Sequence, residues 1–268
     1  MEYCLGCNQK NNYPICKKCS KKPFTVEKCR QALADIGDLG RLVELYKPLI
    51  AEINNLNTSL FWNKRLKESS PLKNQDGMTK DRIKIAFSYL PKKAKRILDI
   101  GIGNGFIEEL LSKNKNIQIF GNDISDLAIK NAKNKFSGNF RMESIYNMKY
   151  PKNFFDAIFV LEVLEHIPPS KIFPVLKRIK NVLKKIGTVI LSVPTNEGLE
   201  QMSSNPNGHV RDYTKSLIKA ELKLAGFTIL ESKNLYAFSN FYYLKKMLSN
   251  ILKCRWHPNN IVIKAKVT

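Results

Sequence analysis

Arg96-Ile97-Leu98-Asp99-Ile100-Gly101-Ile102-Gly103-Asn104-Gly105-Phe106-Ile107-Glu108-Glu109-Leu110-Leu111 is the stretch on which the reading of this chain turns. Its apolar, β-branched start, stopped by glycine, predicts a buried strand of a parallel sheet. Beyond Gly105 the apolar residues recur at 106, 107, 110 and 111, which is helical spacing. Glycines at such a junction let the backbone approach a ligand at the carboxyl end of the strand, where open α/β sheets bind. Their positions, 101, 103 and 105, depart from the Gly-x-Gly-x-x-Gly of a dinucleotide site, and position 106 is Phe. The chain also lacks the Gly-Lys-Ser/Thr of a phosphate-cradling loop. An acid at the strand end, Asp99, suits a cationic ligand better than a pyrophosphate.

The order Asp-x-Gly-x-Gly-x-Gly resembles class I S-adenosylmethionine-dependent methyltransferases. The resemblance implies that Gly101, Gly103 and Gly105 wrap the methionine part of the cofactor and that Asp99 lies near its amino group. A second strand, 117–123, closes on Asp123. An acid about 20 residues beyond a glycine loop, at the end of the next strand, can accept both ribose hydroxyls. Ser125 or Asp126 then starts a helix over 127–136. After a third strand, 140–142, the resemblance puts Glu143, Ser144 and Ile145 against the adenine, with Ile124 and Leu161 completing the cofactor contacts. Glu143 stands where many relatives carry Asp, and Met142 where Gly is common.

The expected fold is a seven-stranded, mostly parallel Rossmann-like sheet with helices on both faces, over 79–268. Its later elements are strands at 155–160, 188–193 and 227–231 and helices at 79–90, 172–183 and 214–225. Residues 261–267 alternate apolar and polar side chains and form the last strand, inserted antiparallel.

At 268 residues and 43% hydrophobic, the chain can bury one sizeable core plus a small appendage. Nothing approaches the ~18 apolar residues of a membrane span, and the first residues do not follow the pattern of a signal peptide. A cytoplasmic protein is the expectation. The net charge of +22 favours polyanions, although Lys spread beside abundant Asn and Ile also arises from biased genome composition.

The appendage is residues 1–24, where Cys4-x-x-Cys7 and Cys16-x-x-Cys19 form two knuckles able to offer four thiolates to a structural zinc. Disulfides, an iron–sulfur cluster or a redox pair are the alternatives; a reducing compartment and the lack of a strand–helix context argue against the first and last. Cys29 and Cys254 behave as small apolar residues. Residues 25–78 read as a helical linker, interrupted by Gly37, Gly40 and Pro48, and then a segment with Phe61-Trp62-Asn63 that caps the cofactor or forms a plain surface helix.

After the fourth strand comes Glu162-x-x-Glu165-His166, and downstream stands His209-x-Arg211-x-Tyr213-Thr214. On a helix the two acids and the imidazole share a face. With His209 they could hold a divalent cation such as Mg²⁺. The four residue types resemble the metal sites of 2′-O-methyltransferases acting on small-RNA 3′ ends, and ubiquinone-pathway O-methyltransferases carry a similar Glu-x-x-Glu-His. A hydrogen-bonded cluster without metal is the preferred reading, with His166, His209 and Glu162 as the catalytic candidates. The expected activity is methyl transfer to an oxygen or nitrogen of a small molecule. An RNA or protein substrate held by the ribbon and basic surface is the alternative, and a non-catalytic binding module the third. Residues 235–256, aromatic and basic, are a substrate lid, a peripheral membrane face or, as preferred, a stripe packed on its own domain.

Overall fold

The structure, a computed structural model, describes residues 3–47, 50–202, 204–238, 240–251 and 256–268. Among these, seven strands form one sheet: β1 (Arg96–Ile100), β2 (Gln118–Asp123), β3 (Asn139–Met142), β4 (Phe155–Leu161), β5 (Leu183–Pro194), β6 (Phe227–Leu235) and β7 (Asn260–Val267). Their order is β3-β2-β1-β4-β5-β7-β6. The first five run parallel, and β7 is antiparallel to both β5 and β6. This is the expected Rossmann-like sheet.

Alternation along the strands feeds two hydrophobic layers, as the pleat requires. Leu98, Ile100, Ile158 and Val160 enter one core cluster, while Ile97, Ala157 and Phe159 enter the other. The first layer is closed by α1 (Pro23–Asp35), α2 (Leu39–Glu44), α7 (Ile172–Val182) and α8 (Lys215–Leu224). The second is closed by α4 (Gly77–Ser88), α5 (Phe106–Leu111) and α6 (Asp126–Lys135). Strand order reverses between β1 and β4, so the crevice for a ligand opens at the carboxyl ends of those strands.

Three expectations are corrected. β5 begins at Leu183 rather than 188, taking in Lys184 to Gly187 through a register shift against β4 that leaves Ile186 in solvent. The aromatic stretch from 235 does not begin as a helix: β6 runs to Leu235, and among the described residues of the stretch α9 (Tyr242–Ile251) is the helical part. Its Tyr242 packs on Gly77 and bonds Asp81, whereas Phe241, Tyr243, Leu244 and Met247 are exposed. Residues 25–50 are more than a linker. Gly37, at φ +74°, separates α1 from α2, and the α1 side chains Val26, Cys29 and Leu33 belong to the main core. Pro48 and Cys254 lie outside the described residues.

A buried ionic network fastens α1 to α8. Arg211, fully buried, pairs with Glu221 at 2.6 Å and with the Tyr213 hydroxyl at 2.7 Å, while Arg30 bonds Glu27 and the Leu45 carbonyl. The cysteine segment is seated on the same helix: Cys4, Ile15 and Cys19 are buried beside Val26.

Candidate functional site

A cavity of about 750 Å³ lies at the carboxyl ends of β1, β2 and β4. Gly101, Gly103 and Gly105 adopt φ of +82°, +53° and +75°, a region costly for residues with a Cβ. At Gly101 a Cβ would also stand 2.6 Å from Val163. Asp123 holds the loop in this shape, accepting from Gly103 N at 2.9 Å and Ser125 N at 2.8 Å. Ser125, not Asp126, caps α6 through Ala128 N. Burial lifts the Asp123 carboxyl above its ordinary pKa against the pull of those N–H groups.

Asp99, Gly101, Gly103, Asp123, Ile124, Glu143, Ser144, Ile145 and Leu161 all line this cavity; Gly105 stands behind it, against the Phe136 ring. Glu143 accepts from Lys149 N at 3.1 Å through one oxygen, and its other oxygen is buried without a partner. Asp99 is buried against Glu108 of α5, and both acids are raised, by burial first: Glu108 to about 7 and Asp99 well above the usual carboxylate range.

Helix α3 (Ser59–Lys67), capped by Thr58 Oγ1 on Phe61 N, lies across the mouth. Asn63 accepts from Ser125 Oγ at 2.6 Å and donates to Asp126 at 2.6 Å, and Arg65 donates to Asn207 Oδ1 at 3.0 Å. Trp62 meets the His166 ring edge-on with centroids 4.8 Å apart. Arg65, Arg82, Asn57, Glu197 and Asn260, all at the cavity wall beside Trp62, were not singled out from the sequence. Only the tripeptide around Trp62 offered a signal.

The Glu162-x-x-Glu165-His166 run is not an α-helix, so its acids do not share a face. Glu162 takes φ +56°, and a 3-10 turn follows over Leu164–His166. Glu162 turns to Arg82 at 2.9 Å, Ser192 Oγ at 2.6 Å and Asn260 Nδ2 at 2.9 Å, tying β4 to α4, β5 and β7. It therefore leaves the cluster expected of it. Glu165, His166 and His209 do converge, with ligand-capable atoms within 4.8 Å of one another. His166 Nδ1 donates to the Gly208 carbonyl at 3.2 Å, and His209 Nδ1 donates to Glu197 at 2.7 Å, so neither contact uses the Nε2 side of its ring. His166 Nε2 stands 3.9 Å from Glu165, whose two carboxylate oxygens are buried with no hydrogen-bond partner among the described residues. Burial, then the neighbouring His209, lowers His166 to about 3, so its imidazole is neutral at physiological pH.

At the amino end, Cys4, Cys7, Cys16 and Cys19 bring their sulfurs within 4.8 Å of one another. Cys4 Sγ accepts from Gly6 N at 3.3 Å and Cys16 N at 3.2 Å. A Cβ at Gly6 would sit 3.0 Å from Cys19 Sγ, so the knuckle excludes a larger residue. Among the described residues, no helix is long and apolar enough to cross a membrane.

Residues 98–191 match the family described as a methyltransferase domain. Ubiquinone biosynthesis O-methyltransferase of Coxiella burnetii is 33% identical over 92 residues, which span 32% of this chain and 39% of that protein. The match thus covers well under half of the relative. An S-adenosylmethionine-dependent methyltransferase from Archaeoglobus fulgidus superposes with a TM-score of 0.58 at 21% identity, covering 78% of this chain and all of that one. N-methyltransferase NodS from Bradyrhizobium japonicum, solved with S-adenosyl-L-homocysteine, gives a TM-score of 0.60 at 15% identity, covering 79% of this chain and 98% of that one. Sheet order, glycine loop and domain match agree: residues 98–191 are similar to a methyltransferase domain, and the chain shares the fold of these S-adenosylmethionine-dependent methyltransferases.

Proposed function

We propose that this protein transfers the methyl group of S-adenosylmethionine to an oxygen of a small hydroxylated molecule seated against Glu165, His166 and His209. The observation that carries this reading is the convergence of two imidazoles, each held through Nδ1, and one buried carboxylate on the cavity wall. The residues present fit the cofactor. Asp123 retains lone pairs for the ribose hydroxyls, the unpartnered Glu143 oxygen suits the adenine amino group, and Ile124, Ile145 and Leu161 offer apolar faces. When bound, the sulfonium supplies an activated methyl for in-line displacement. The glycine loop and Asp123 hold the donor in place, and α3, through Trp62 and Arg65, restricts entry and orients the acceptor. His166 or His209 accepts the hydroxyl proton at Nε2, the Glu197 carboxylate supporting the charge that would form on His209.

A divalent cation is the second reading, favoured by the two unpartnered oxygens of Glu165. Glu165, His166 and His209 would hold it, with the Gly208 carbonyl and Glu197 orienting the rings, and it would acidify the acceptor hydroxyl. Two imidazoles and one carboxylate suit a transition metal better than Mg²⁺, which prefers oxygen. The four cysteines would hold a structural zinc. Burial of Cys4 and Cys19 in the main core makes that segment a cap on α1, which favours a small acceptor over a macromolecule docked on a free ribbon.

Labelled cofactor incubated with a panel of hydroxylated small molecules, and separately with RNA and protein fractions, tests the reading. Label in a hydroxylated small molecule, lost in His166→Ala, is expected; label confined to RNA or protein would overturn it.

A further inference from the structure

Helix α9 leaves a hydrophobic face in water. Its Tyr242 is turned inward, the hydroxyl donating to Asp81 Oδ2 at 2.7 Å, and Lys246, one turn on, pairs with the same carboxylate. By helical phase Tyr243, Leu244 and Met247 lie on the opposite side. All three are exposed, as is Phe241 just before the helix, from 53% for Leu244 to 77% for Phe241. A contiguous row of aromatic and aliphatic side chains in water marks a surface that a partner covers. The excursion that carries the row leaves and rejoins the sheet at the cavity wall. Asn259 N donates to the Leu235 carbonyl at 2.9 Å, Ala237 N donates to Asn259 Oδ1 at 2.9 Å, and both Ala237 and Asn259 line the cavity.

Charge decides between the possible occupants. From Tyr236 to His257 the sequence holds four Lys or Arg and no acid, and the whole chain carries +22. A second copy of the chain would bring two basic rims together around the apolar row, against their repulsion. An anionic bilayer offers negative charge at the headgroups and hydrocarbon beneath them, which suits a helix with Lys at its flank and apolar side chains at its front. Tyr and Trp settle at that depth, and Trp256, in edge contact with Phe238, is exposed as well.

We propose that α9 docks the protein on an anionic lipid bilayer, with Phe241, Tyr243, Leu244 and Met247 entering the headgroup layer and Lys245 resting among the phosphates. Tyr242 and Lys246 fix the helix to α4 through Asp81, so the face is held out ready-made rather than formed on contact. Docking then keeps the cavity rim beside the headgroups. None of the docking side chains lines the cavity, so docking and methyl transfer are separable.

Co-sedimentation of the full chain with extruded vesicles tests the docking. The native protein should pellet with vesicles of equal parts phosphatidylcholine and phosphatidylglycerol, and bind phosphatidylcholine alone about tenfold more weakly. Binding to the mixed vesicles should persist in part at about 0.5 M NaCl, where exposed charges are largely screened and apolar insertion remains. At that salt Leu244→Glu and, separately, Tyr243→Glu should each weaken binding by about tenfold, because a carboxylate must enter a layer of like charge. Both variants should melt at the native temperature, since the replaced side chains stand in water. Equal binding by native and variant proteins would assign the contact to lysines elsewhere and overturn the inference. So would failure to bind either kind of vesicle. A native dimer in light scattering that Leu244→Glu splits, with no vesicle binding, would give the face to a second copy instead.

Discussion

Replacing Asp123 by Ala tests the ribose contact and the loop geometry together. In the empty site Asp123 already spends one lone pair on Gly103 N, at 2.9 Å, and one on Ser125 N, at 2.8 Å. Each oxygen keeps a further lone pair on the cavity side, enough for the two ribose hydroxyls. A hydrogen bond to a charged acceptor contributes about 1.5–3 kcal/mol, so two at the lower end amount to about 3 kcal/mol. That is a loss of roughly a hundredfold in Kd for S-adenosylhomocysteine. 5′-Methylthioadenosine carries the same ribose and should lose as much, which separates this effect from one at the ammonium end. Asp123→Asn keeps one acceptor oxygen but turns an amide toward a backbone N–H, so its loss should fall between wild type and Ala. Calorimetry gives the affinities, and a thermal melt shows that the variants are folded. A change of less than about threefold for either nucleoside in a folded variant would refute the ribose assignment and the geometry behind it.

His166→Ala should slow turnover by about 10²–10⁴, as loss of a positioned acid–base group does, while leaving cofactor affinity within about threefold. Equal loss of both would move His166 out of the acceptor region. Metal analysis of the purified chain should find one zinc that Cys16→Ser removes, and stripping it should lower the melting temperature, because the segment it staples covers part of the α1 core. Arg211→Ala strands Glu221 in the interior, and breaking a buried pair costs about 3–5 kcal/mol. Urea unfolding should show that loss; a midpoint near that of wild type would mean that water compensates for the missing guanidinium.

The sheet was readable because its strands obey one rule each. β1, β2 and β4 are short apolar runs stopped by Gly, Asp or Glu, and a buried parallel strand has little else to be. The cofactor wall followed from the same stops, since Ile100, Asp123 and Leu161 are the residues at which strands end and the crevice begins, with Asp99 one residue before. Elements that depend on partners far along the chain were not readable. The extension of β5 to Leu183 is stabilised by β4, and α9 begins only after Phe241 at φ +53°. Nor could spacing show that Arg211, Tyr213 and Glu221 would be buried together with Glu27 and Arg30, because charged residues at those positions read equally well as a solvated surface. Arg65 and Asn207 were invisible for a similar reason: they meet only because α3 lies across the cavity mouth.

The two acids of the Glu-x-x-Glu-His run carry the sharper lesson. Helical spacing would have put Glu162 and Glu165 on one face and made them joint ligands. The left-handed turn at Glu162 breaks that phase, and the cost of holding a non-glycine residue there, about 1–3 kcal/mol, has to be met by its surroundings. Arg82, Ser192 and Asn260 meet it, from three different elements. Glu162 is thereby committed to tying β4 to α4, β5 and β7, and Glu165 is left with two histidines. One residue's φ therefore decides whether this site offers a cation four protein ligands or three, and three leave room for an acceptor's oxygens. If Glu162→Gln, which keeps the Ser192 and Arg82 contacts in neutral form, were to abolish metal binding while the protein stayed folded, Glu162 would return to the ligand set. On the cation reading, the arrangement described above predicts instead that an added transition metal still binds in Glu162→Gln and no longer binds in His209→Ala.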